Sequence, residues 1–194
     1  MYIVGLGNPG EEYVDSRHNI GRTALETFSQ KYNFSDWQDD KKTNSKISEG
    51  KIGKHKAMLM LPETYMNKTG LSVKKVITSK KKLQDLIVIY DEIDLPLGEV
   101  KIAHNRGSGG HRGLESVIKT LSSKEFTRIR VGISPATPSG KIKKPKGEKK
   151  VVDFVLGKFS KKEEDKLRKV KKEVLDMVES IVTEGRIVAM NKFN

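Results

Sequence analysis

Short unbroken apolar runs alternate along the chain with stretches in which apolar residues return every three or four positions. The opening run, Tyr2 to Leu6, predicts a strand. From Asn19 onward Ile20, Ala24, Phe28 and Tyr32 recur at i, i+4 spacing, one face of a helix. Asp36 to Lys42 reads as loop. Residues 44–53 and 55–61 predict two strands, with Gly50 or Gly53 punctuating a hairpin and Pro62 ending the second. Leu71, Val73, Val76 and Ile77 then carry a helix with a basic outer face. Leu86-Ile-Val-Ile-Tyr90 is wholly apolar, the pattern of a strand buried on both faces.

Leu95-Pro-Leu-Gly98 predicts a turn into a strand near 99–103. Arg106-Gly-Ser-Gly-Gly-His-Arg-Gly113 opens a helix with Leu114, Val117, Ile118 and Leu121 inward. Ile129 to Ile133 predicts a strand. Pro135 to Lys150, rich in Pro, Gly, Ser and Lys, reads as a mobile basic loop. Val151 to Leu156 reads as a last strand. Ser160-Lys-Lys-Glu163 has the form of a capping box. It opens a helix with Leu167, Val170, Val174, Met177, Val178 and Ile181 inward, broken at Gly185 before a short tail helix.

Strands alternating with helices predict an α/β fold: one domain over residues 1–194, a twisted mixed sheet flanked by helices. Asn8, Asn67 and Asp91 each follow a predicted strand. If those strands are parallel, their carboxyl ends converge, and the three residues share one crevice with His18.

Charge changes this picture more than size does. The net charge is +13, from 38 Lys and Arg against 25 Asp and Glu, which points to a polyanionic partner such as nucleic acid. A solvated lysine-rich surface would give the same total. No apolar stretch approaches the ~20 residues of a membrane span, and no basic-then-apolar leader precedes the first strand, so the expected location is the cytoplasm. With no cysteine, disulfides, thiolate catalysis and cysteine zinc sites are excluded.

Gly5, Gly7 and Gly10 match the spacing of the dinucleotide fingerprint, but Pro9 and Gly10 break the chain before any helix begins. Nor does a clear strand ending in Asp or Glu follow about 20 residues on. Residues 107–113 lack the spacing of a P-loop, although their backbone N–H groups could receive a phosphate at the helix entrance. Lys101, Arg106, Arg112 and Arg130 would supply positive charge there. His18, His55, His104 and His111 form no metal-binding pattern.

An imidazole, with an ordinary pKa of about 6.5, suits proton abstraction from water at neutral pH. A carboxylate on its other nitrogen fixes the tautomer, and Asp91 is the candidate. Asparagine amides can orient a substrate or stabilise an oxyanion. His18, Asp91, Asn8 and Asn67, with no nucleophile among them, point to direct attack by water. Each has a plainer alternative: His18 as a surface residue, Asp91 as a turn or cap, Asn8 before Pro9 as turn chemistry.

The chain resembles the bacterial-type peptidyl-tRNA hydrolase family. The motifs run in the family's order: Gly5 to Gly10 with Tyr13 and Arg17-His18-Asn19; Pro62 to Gly70 with Tyr65-Met66-Asn67; Asp91 to Gly98; Gly109 to Leu114; Arg128 to Ile133; and Phe154 to Lys158. The resemblance implies hydrolysis of the ester joining a peptide to the 3′ ribose of tRNA, by a cytoplasmic monomer needing no metal or cofactor. DNA and membranes are not expected partners. It implies that His18 is the catalytic base, that Asp91 orients it, and that Asn8 and Asn67 hold the substrate. Tyr13 and Met66 would wall the peptide channel, and Lys101 and Arg130 would clamp a tRNA phosphate. Ser16 replaces the usual threonine. Arg112 replaces a common asparagine, so it carries no catalytic expectation and is assigned to RNA contact. Two rival classes remain open: an RNA-binding module without chemistry and a nucleotide-dependent oxidoreductase.

Overall fold

The computed structural model describes residues 1–137 and 139–194. The element order is β1 (Tyr2–Gly5), α1 (Ile20–Lys31), β2 (Gln38–Asp40), β3 (Ser45–Ile52), β4 (His55–Pro62), α2 (Thr69–Val76), α3 (Lys80–Gln84), β5 (Leu86–Pro96), β6 (Val100–His104), α4 (Arg112–Leu121), β7 (Thr127–Ser134), α5 (Glu148–Leu156), α6 (Glu164–Thr183) and α7 (Arg186–Phe193). The strands form one sheet in the order β2-β3-β4-β1-β5-β7-β6. The four inner strands, β4, β1, β5 and β7, are parallel, while β2, β3 and β6 add antiparallel edges.

Alternation along the strands builds two cores. Ile3, Ile87, Ile89, Ile129 and Val131 face α1 and α6. Val4, Leu6, Val88 and Tyr90, one position out of phase, face α2 and α4 through Val73, Leu114 and Val117. Each fully buried aliphatic side chain contributes roughly 1.5–3 kcal/mol. Together the sheet and its two helical layers make a single α/β domain.

Gly5, the first of the fingerprint glycines, serves packing together with Gly21. A Cβ on Gly21 would lie 2.3 Å from the Ile89 carbonyl oxygen, and one on Gly5 would lie 2.6 Å from the Gly21 carbonyl oxygen. Only bare backbone lets α1 sit this close to β1 and β5.

Four expectations are corrected. Residues 151–156 are helical, within α5, because Gly147 (φ 89°) starts a turn in which the Val151 N–H donates to the Gly147 carbonyl. A six-residue apolar run does not distinguish a strand from a helix by periodicity alone. The segment 135–150 is correspondingly shorter as a loop, since α5 begins at Glu148; Pro138 within it lies outside the described residues. Within the expected loop 36–42, Gln38–Asp40 pairs with β3, Asp39 opposite Lys46. Leu71, assigned to the apolar face of α2, is 56% exposed.

The two sheet edges differ. β2 carries adjacent aspartates. At β6 the Asn194 side chain accepts from the Ile102 N–H and donates to the Ile102 carbonyl, each at 2.9 Å.

Candidate active site

The parallel inner strands bring their carboxyl ends to one edge, and there Asn8, His18, Asn67 and Asp91 meet. β5 continues past its apolar run and presents Asp91, 3% exposed, opposite Val131 of β7. A 3-10 turn, Arg17–Asn19, leads into α1 and carries His18 over the same point. His18 Nδ1 lies 2.8 Å from Asp91 Oδ1. Its Nε2, across the ring, has no protein partner among the described residues.

A second histidine shares that oxygen. His111 Nε2 lies 2.9 Å from Asp91 Oδ1, and its Nδ1 accepts the Leu114 N–H at 3.1 Å, capping α4. A main-chain N–H can only donate, so Nδ1 of His111 bears no proton and Nε2 donates to Asp91. Both nitrogens are occupied. Burial pushes the Asp91 carboxyl up, but the two imidazoles set against its oxygen, His18 and His111, outweigh it and hold the group well below the usual carboxylate range. Tyr90 packs edge-on against His111, its phenol pushed up to about 12, mainly by burial.

Asn8 follows β1 and is fixed on both sides. Its N–H donates to Asn19 Oδ1 (2.8 Å), its carbonyl accepts from Asn19 Nδ2 (2.9 Å), and its Oδ1 accepts the Met66 N–H (2.8 Å). The Asn8 amide NH₂ is therefore the end left for a ligand. Asn8, His18, Met66, Asn67, Asp91, His111 and Arg112 all line one cavity of about 790 Å³. Val151, Val152, Val155 and Leu156 of α5 form an apolar wall, and Lys68, Lys144 and Arg112 stand among the lining cations. The volume falls within the ~300–1,000 Å³ of small-ligand clefts.

Ligand atoms of His18, Asp91 and His111 lie within 4.8 Å of one another, a set that could hold a metal ion. The hydrogen bonds oppose this use. A metal on His111 Nε2 would require the proton on Nδ1, where the Leu114 N–H already points.

The peptidyl-tRNA hydrolase family model matches residues 2–194. The chain belongs to the peptidyl-tRNA hydrolase family. It is 39% identical to a peptidyl-tRNA hydrolase of Prochlorococcus marinus (strain MIT 9215), covering 100% of this chain and 95% of that protein. It is 37% identical to one from Syntrophotalea carbinolica, covering 99% and 95%. The crystal structure of the Acinetobacter baumannii peptidyl-tRNA hydrolase matches with a TM-score of 0.87 at 31% identity, covering 100% of this chain and 93% of that one.

Not every residue expected of a peptidyl-tRNA hydrolase sits at the cavity. Tyr13, in a 3-10 turn at Glu11–Tyr13, is not among the lining residues. Lys101 and Arg130 are register partners on β6 and β7, also outside the lining. Lys101 Nζ donates to the Asn194 carbonyl (2.9 Å), and Arg130 Nε donates to Glu92 (3.0 Å). Arg112 is ion-paired with Glu148 of α5, across the cavity. Sequence reading gave His111 no role in the site. Its signal was present: histidine is an unusual residue at a helix start, where Ser, Thr, Asp and Asn are the common caps.

Proposed function

We propose that this chain hydrolyses the ester between the peptide and the 3′ ribose of peptidyl-tRNA, with His18 as general base and Asp91 as its orienting carboxylate. The pairing of Nδ1 with the buried Asp91, in a histidine that lines the cavity, carries this reading. Nε2 takes a proton from water as its oxygen attacks the ester carbonyl, and Asp91 stabilises the resulting imidazolium. The Asn8 and Asn67 amides donate to the developing oxyanion. When the tetrahedral intermediate collapses, the imidazolium returns its proton to the leaving ribose oxygen. The peptide lies along the apolar wall of α5 and Met66.

The RNA is held through phosphates by the cations around the cavity and by Lys101 and Arg130, so its affinity falls with salt. The protein works as a cytoplasmic monomer. Among the described residues no helix is long and apolar enough to cross a membrane. The test compares N-acylated with free aminoacyl-tRNA in EDTA, for wild type and His18→Ala. Release from the blocked substrate alone, lost in the variant, supports the reading. Binding without release by the wild type would leave an RNA-binding module instead.

A further inference from the structure

Next to His18 stands an arginine that the reaction does not touch. Arg17 is buried, and its guanidinium donates two parallel hydrogen bonds to Glu163, Nη1 to Oε1 and Nη2 to Oε2, each 3.0 Å. It packs against the rings of Phe154 and Phe159, 4.9 and 4.5 Å from their centroids. Its own N–H donates to the Gly157 carbonyl at 3.0 Å, and Ser16 bridges to Lys158. Glu163 is itself held: its Oε2 accepts from the Ser160 N–H (2.7 Å) and hydroxyl (2.8 Å). The capping box that starts the α6 region thus also grips the turn bearing His18.

Such a pair adds little to stability by itself, because desolvation offsets much of the attraction. Its geometry is what is distinctive. A two-pronged guanidinium–carboxylate contact fixes distance and plane together, which a lysine cannot do. Asp91 holds one nitrogen of the His18 ring, and a single hydrogen bond leaves the ring free to pivot with its backbone. The Arg17 clasp removes that freedom by tying the backbone to the end of α5, the helix that walls the cavity.

We infer that Arg17 and Glu163 are positioning residues for the reaction, a clasp that keeps His18 Nε2 aligned with the attacking water. The inference rests on His18 being the general base. Its test measures hydrolysis of N-acylated aminoacyl-tRNA by wild type, Arg17→Lys, Glu163→Gln, the double variant and His18→Ala. Ring ¹⁵N spectra of His18 and the melting temperature are recorded for each.

Both conservative variants should lower kcat about ten-fold, the scale of a sub-ångström misplacement, while KM changes by less than about two-fold. The double variant should lose no more than either single one, because the two residues act as a unit. The His18 ring should lose its single Nδ1–H tautomer. Glu163→Gln keeps the size but replaces one accepting oxygen with a donor, so it breaks the two-pronged contact and reports even if Arg17→Lys folds poorly. A lower melting temperature with unchanged kcat and an unchanged His18 spectrum would overturn the clasp. Full activity in His18→Ala would instead overturn the general-base reading beneath it.

Discussion

The loops bearing His18 and His111 place the same kind of ring against the same oxygen of Asp91, yet only one ring keeps a free nitrogen. His111 spends Nδ1 on the Leu114 N–H, so it caps its own helix and has nothing left for substrate. The residue before α1, Asn19, makes no such side-chain cap; its amide is turned to Asn8. α1 is seated instead by bare backbone at Gly21, against the Ile89 carbonyl. Identical side chains on one carboxylate thus differ in use because of what their second nitrogen meets.

The strongest way to break the comparison is to delete each ring's chemistry. His18→Ala should lower kcat by about 10²–10⁴, the worth of a general base, and Asp91→Asn by a similar factor through loss of the correct tautomer. Steady-state hydrolysis of N-acylated aminoacyl-tRNA measures both. Next come the helix seats. A Cβ on Gly21 meets the Ile89 carbonyl, which has no room to yield, so Gly21→Ala should cost about 1–3 kcal/mol. Gly113→Ala meets the flexible Met66 sulfur and should cost less; urea unfolding compares the two.

Smaller again is His111→Asn. Asparagine is a good helix cap but cannot reach Asp91, so kcat should fall about ten-fold, and loss of one charge-assisted hydrogen bond, worth about 1.5–3 kcal/mol, should lower the melting temperature. A loss equal to that of His18→Ala would erase the distinction between the rings. The smallest effect is expected in acid. The Asp91 pKa is depressed in the folded state, so its stabilising contribution is complete above its ordinary value of 3.8 and is lost as pH falls below that. The stability gap between wild type and Asp91→Asn should therefore narrow below about pH 4, read by chemical denaturation across that range.

What could be read from the sequence divides along physical lines. α1 and β5 were legible because their periodicity is long or their apolar run unmistakable. The meeting of Asn8, Asn67, Asp91 and His18 followed from strand ends, once the inner strands proved parallel. α5 was not legible, because Val151 to Leu156 has strand-like residues in a run too short to show helical phase. Its helical start is set by the turn at Gly147, and its far end meets the Arg17 turn through the Gly157 carbonyl. His111 was missed for a related reason. Its role depends on reaching Asp91, 20 positions away in the chain, and no local pattern encodes that.

The treatment of the sheet's margins has a consequence for behaviour at high concentration. A foreign strand arriving at β2 would meet two neighbouring carboxylates, and one arriving at β6 would have to displace an amide already mimicking its hydrogen bonds. Self-association into extended ribbons, the standing hazard of open sheets, is thereby discouraged at both borders, by repulsion at one and by prior occupation at the other.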